Sequence, residues 1–95
     1  MDDLDYSLLP PKLQEGMRRW VEHAIQPGNF LMKVLDGDIT AVLHADHETA
    51  LQIQQIVRWC NMELPGPCWG SRLHTKSWRD AGGTVGIETM RNEPV

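Results

Sequence analysis

The stretch that most constrains this chain is the amphipathic run from Asp46 to Leu64, DHETALQIQQIVRWCNMEL, closed by Pro65-Gly66-Pro67. At helical spacing Ala50, Ile53, Ile56, Val57, Cys60 and Leu64 share one face, with Gln54, Arg58 and Asn61 opposite or beside it. The pattern predicts one long central helix over about 46–64. Asp46 is its N-cap, Glu48 lies in the first turn where a carboxylate suits the helix dipole, and Pro65 is its stop. On this wheel Val57 belongs to the core, whereas Leu51, Trp59 and Met62 fall outside it.

The shorter segments need such a surface to bury against. Pro10-Pro11 suits a helix start, and Leu13, Met17, Trp20, Val21 and Ala24 fall on one face of a helix over about 11–25. Glu15 with Arg19, and Arg18 with Glu22, pair across one turn on its outside. Gln26-Pro27-Gly28 ends it. The run NFLMKVLDGDITAVLHA reads in two ways. Asp36-Gly37 between apolar runs is a hairpin signal, which would make the fold α+β with a hairpin at 30–44. The apolar residues do not alternate cleanly, however. Two short helices account for them better, the first burying Phe30, Leu31, Val34 and Leu35, the second capped by Asp38 and burying Ile39, Val42 and Leu43. After Pro65-Gly66-Pro67, Trp69 folds back over the central helix, Ser71 caps a last short helix with Leu73, Ser77, Trp78 and Ala81, and Gly82-Gly83 ends it. The expected fold is all-α: a small bundle of four to five helices with loose termini. It comprises a flexible acidic arm at 1–9, in which Tyr6, Leu8 and Leu9 are anchors, a single domain at 10–82, and a frayed tail at 83–95.

Composition excludes several function classes. Thirteen acidic against nine basic side chains give a net charge of -4 without a basic stripe, which argues against nucleic-acid binding. No apolar run approaches the roughly 20 residues that span a bilayer, and the acidic start is unlike a signal peptide. Cytoplasmic residence is therefore expected, with Cys60 and Cys68 as free thiols.

Catalytic and metal signals are weak. His44, His47, Cys60 and Cys68 are zinc-capable side chains, but they lack ligand spacing and Cys60 is on the core face. Cys68 with His74 as a nucleophile and base, and Asp36 with Asp38 as a carboxylate pair, are each better explained by packing and by turn chemistry. No phosphate-cradling loop or hydrolase motif is present. The reading is of a non-enzyme with no cofactor and no metal.

The combined pattern LPPKLQEGMRRWVEHAIQPGNFLMKVL, then AD, then IVRWCNMELPGPCWGS resembles a group of small phage and prophage proteins without a settled activity. Their shared segments are G-M-x-R-Y/W-I/V-E-H-G, P-G-x-F-L and P-x-x-C-W-G-S. The resemblance covers about residues 8–72 and implies a phage accessory protein, helical over 29–45, that works in the host cytoplasm. Two departures stand out: Ala24-Ile25, where the pattern has Gly and an aliphatic residue, and Cys60-Asn61-Met62, where it has Leu-Tyr-Asn.

Four tryptophans against one tyrosine and one phenylalanine exceed what a small helical core requires, and indole N–H groups need partners when buried. Trp20 and Trp69 are assigned to the core. Trp59 and Trp78, with Leu51, Gln55, Arg58 and Met62, are expected to form an exposed partner-binding patch. A second candidate is a shallow ligand groove along Gly16, Arg19, Trp20 and His23. These surfaces suit three functions: binding and inhibiting or redirecting a host protein, above all a component of an anti-phage defence system; sequestering a nucleotide signal in a homo-oligomer, with Trp20 or Trp59 stacking the base; or serving as a structural assembly partner.

Overall fold

A computed structural model of the chain describes residues 4–92, with 90–92 as backbone only. The architecture is all-α, as expected, and the described residues contain no strand. The hairpin alternative at 30–44 is therefore excluded. The elements are α1 (Pro11–His23), α2 (Asn29–Leu35), a first 3₁₀ helix (Ile39–His44), α3 (His47–Ala50), α4 (Ile53–Glu63), a second 3₁₀ turn (Gly66–Cys68), α5 (Arg72–Ala81) and α6 (Gly83–Asn92).

Helix α1 begins at Pro11, where a missing N–H costs nothing, and buries Met17, Trp20 and Val21. It ends at Ala24, the one non-glycine residue at positive φ (57°) among the described residues, whose N–H reaches the Trp20 carbonyl at 2.9 Å. A left-handed cap favours glycine, and here an alanine adopts it. Helix α2 buries Leu31, Val34 and Leu35. Asp38 caps the next segment by accepting from the Thr40 N–H, as expected, but that segment is a 3₁₀ helix. It turns only Ala41 inward, so Ile39, Val42 and Leu43 are exposed rather than buried.

The long helix expected over 46–64 is two helices. Asp46 does cap its start, accepting from the Thr49 N–H at 2.7 Å. At Gln52 (φ -105°, ψ 3°) the chain leaves helical geometry, and its N–H tightens onto the Thr49 carbonyl. The two pieces are held by different neighbours. Asp46 is paired to Lys12 of α1 at 2.8 Å and Thr49 is buried, while α4 is fixed by Ile56, Trp59 and Cys60. Its buried face is rotated toward Trp59, so that Trp59 is only 3 % exposed and Val57 is 41 % exposed. Both assignments made from the helical wheel are thereby reversed.

Helix α5 starts and ends where expected, with the Ser71 hydroxyl accepting from the His74 N–H at 3.1 Å and Gly82 (φ 80°) ending it, but Leu73 is exposed and Trp78 is the residue it buries. Gly83 does not begin a frayed tail. With φ 72° it reverses the chain into α6, and a Cβ there would fall 2.5 Å from the Glu22 carbonyl carbon. Only glycine lets α6 lie this closely against the end of α1. Thr84 is buried in this contact and Ile87 packs on the core. Residues 93–95 of the expected tail and 1–3 of the expected arm lie outside the described residues. Of the three expected anchors, Tyr6 and Leu9 are buried, with the Tyr6 ring 5.5 Å from that of Trp59, whereas Leu8 is 56 % exposed.

One core therefore gathers Tyr6 and Leu9, α1, α2, α4, the 66–68 turn and Trp78 of α5. The reversed assignment on α4 is testable by chemical unfolding. Trp59→Ala is expected to cost about 3–5 kcal/mol, as a large aromatic truncation does. Val57→Ala is expected to change stability by less than about 0.5 kcal/mol.

Candidate functional site

The expected aromatic patch does not exist as such. Trp59 and Trp78 are 3 % and 4 % exposed. Each satisfies its indole N–H on a main-chain carbonyl, Trp59 on Asp5 at 2.7 Å and Trp78 on Trp20 at 2.9 Å. Carbonyl partners remove the penalty that had argued for exposure. What survives of the patch is the outer flank of α4. Gln55, Arg58 and Met62 follow one another there at helical spacing, Met62 being 67 % exposed, and Leu51, 75 % exposed, ends α3 just before the break at Gln52. The Gln55 side chain donates to the Leu8 carbonyl, which ties the exposed Leu8 to the same flank.

The expected groove along Gly16, Arg19, Trp20 and His23 is likewise not assembled. Trp20 is fully buried, its indole donating to the Cys68 carbonyl at 3.0 Å. Arg19 pairs outward with Glu15 at 3.3 Å, and His23 is exposed beside Glu22. A shallow hollow does adjoin Gly16, but Lys12, Leu13, Phe30 and His44 form its other walls. The tryptophans named as base-stacking groups for a nucleotide, Trp20 and Trp59, are both closed off in the core.

A groove that sequence reasoning missed lies on the other flank of α4. It encloses about 320 Å³ between the first 3₁₀ helix and α4, and its apolar lining includes Val34, Ile39, Val42, Ile53, Val57 and Trp69. Its existence follows from two of the corrections above. The 3₁₀ geometry turns Ile39 and Val42 away from the core, and the rotation of α4 brings Val57 out to face them. The spacing of Ile39 and Val42 by three carried the signal, since residues i and i+3 eclipse in a 3₁₀ helix. The rim is charged. The Asp38 carboxylate lies 3.3 Å from Lys33 and 3.9 Å from the exposed guanidinium of Arg72.

The chemistry-bearing side chains are held in structural roles. Cys60 and Cys68 are fully buried, and burial pushes both thiols up to about 12, so neither is a thiolate at neutral pH. His74, once paired with Cys68 as a candidate base, has its Nδ1 2.9 Å from the Trp69 carbonyl. Asp36 accepts from the buried Thr75 hydroxyl at 2.6 Å, while Asp38 caps the 3₁₀ helix, so the two carboxylates serve separate contacts. Among the described residues no three His, Cys, Asp or Glu side chains are placed to hold a metal ion, and no helix is long and apolar enough to cross a membrane. Comparison of the chain with protein-family models, with curated proteins and with solved structures gives no match in any of the three.

Two capping carboxylates make stability depend on pH. The Lys12 ammonium and then the Thr49 N–H hold Asp46 well below the usual carboxylate range, and the hydroxyl and N–H of Thr40 bring Asp38 down to about 2. A depressed folded-state value means that the contribution is complete above the unfolded value, about 4, and is lost as pH falls through the folded one. The melting temperature is therefore expected to fall between about pH 4 and pH 2, and Asp38→Asn with Asp46→Asn to flatten that fall. Thermal scans across this range check it; an unchanged slope in the double variant contradicts the assignment.

Proposed function

We propose that this protein acts by binding another protein, without catalysis, through the outer flank of α4. The observation that carries this reading is the exposure of Met62 and Arg58 on the outer flank of α4, with the exposed Leu51 at the end of α3 just before it and the exposed Leu8 tied to it through Gln55. Scattered apolar residues on a surface are ordinary, but an exposed methionine one turn from an arginine, with exposed leucines beside the same helix, has the composition of an interface centre. The core supports the same reading, because it holds this flank in place while making no use of it. The resemblance to small phage and prophage proteins supports a partner in the bacterial host cytoplasm, above all a component of an anti-phage defence system, which the bound protein would inhibit or redirect.

The test compares affinity capture from infected host cells by the tagged wild type and by Leu51→Glu, Met62→Glu. A host protein retained by the wild type is expected to be lost with the double variant, and the purified pair to show at least about tenfold weaker binding, the loss of a buried anchor. Both substitutions fall at exposed positions, so the variant's circular dichroism is expected to match the wild type. Equal retention of the host protein by the double variant would overturn the assignment of this flank.

A further inference from the structure

The apolar groove on the other flank of α4 has an unusual neighbour, its own wall. Ile39 is 89 % exposed and Val42 half exposed, yet both line the groove. On a 3₁₀ helix they stand one above the other, and the buried Ala41 between them anchors the segment. The same patch thus offers a two-residue apolar ridge and, beside it, a cleft whose 320 Å³ takes about two or three aliphatic side chains.

We propose that the occupant of this groove is the Ile39–Val42 ridge of a second copy of the chain. A ridge next to a matching cleft is what an isologous interface requires, since a two-fold axis between them seats each ridge in the other's cleft. The rim charges fit the same operation. Asp38 and Arg72 lie together at 3.9 Å, and Arg72 is largely exposed. Lys33 lies 3.3 Å from the same carboxylate, so the rim carries both signs; a rim of one sign would repel its own copy, and this one does not. The exposed parts of Ile39, Val42, Val57 and Trp69 supply roughly 400 Å² of apolar surface per copy, so the pair with its rim buries on the order of 1,000 Å². That is the lower edge of a specific interface and corresponds to a weak dimer, with a dissociation constant of roughly 10–100 µM. Such a dimer leaves the outer flanks of both α4 helices free and presents them as a pair.

Sedimentation velocity of the full chain over about 5–500 µM tests this, a range that brackets the expected constant. The wild type is expected to pass from monomer to dimer across the series. Ile39→Glu and Val57→Glu, on facing walls, are expected to stay monomeric with unchanged circular dichroism, and Arg72→Glu to dimerise several-fold more weakly. Leu43→Glu, on the same 3₁₀ helix but outside the groove lining, and Met62→Glu, on the outer flank, are expected to dimerise as the wild type does. A wild type that stays monomeric over the whole range overturns the proposal. So does an Ile39→Glu variant that dimerises undiminished, or loss of the dimer in Leu43→Glu equal to that in Ile39→Glu. Partner capture is read out by Met62 and self-association by Ile39, so failure of one leaves the other standing.

Discussion

Three indole N–H groups, each donating to a main-chain carbonyl far away in sequence, hold the separate pieces of this chain together. Trp78 donates to the carbonyl of Trp20, Trp20 in turn to that of Cys68, and Trp59 to that of Asp5. The first bond joins α5 to α1, the second joins α1 to the 66–68 turn, and the third joins α4 to the N-terminal segment. Each places a large apolar ring in the core and satisfies a carbonyl in the same act. In a chain this short, with helices of 4 to 13 residues among those described, the seams between helix pairs are short. A few large side chains that both fill volume and fix direction compensate. The Tyr6 ring against Trp59, with the Arg18 guanidinium 5.0 Å from the Tyr6 ring centre, extends the same device to the surface.

A second contact carries this order to the groove. The Gly70 N–H donates to the Leu35 carbonyl at 2.7 Å, and the Thr75 hydroxyl donates to Asp36, so the turn after α2 is clasped to the start of α5. Gly37 (φ 75°) lies in this clasp, where a Cβ would come within 2.7 Å of the Gly70 oxygen. The clasp sets Ile39 and Trp69 on either side of the same hollow. The groove is therefore a consequence of how two turns meet rather than of any one helix, and the α4 flanks on either side of the core remain free for contacts between molecules.

The parts of the fold that depend on local signals were legible in the sequence. The proline start of α1, the Asp38, Asp46 and Ser71 caps and the glycine end of α5 all rest on side-chain chemistry within a turn of the residue itself. What was not legible depends on partners that a sequence pattern does not display. Trp59 and Trp78 look costly to bury until their carbonyl acceptors are known, and those belong to residues 54 and 58 positions away. The break at Gln52 has no glycine or proline to mark it, and a turn tightened by one residue leaves the apolar pattern nearly in phase. Gly82-Gly83 correctly marked the end of α5, but the same residues also allow the close approach of α6 to α1. Of the candidate site, Leu51, Gln55, Arg58 and Met62 are on the surface as expected, while the groove follows from a 3₁₀ geometry that the helical wheel does not represent.

The central claim is that Trp20, Trp59 and Trp78 are internal staples rather than a binding surface. Hydrogen exchange of the four indole N–H groups, followed by nuclear magnetic resonance, tests it most directly. The Trp20 and Trp78 signals are expected to persist longest after transfer to deuterated water, with Trp59 also protected and Trp69, half-buried in the groove wall, exchanging first. Exchange of the Trp78 or Trp59 indole as fast as that of Trp69 would contradict the account and return those residues to the surface.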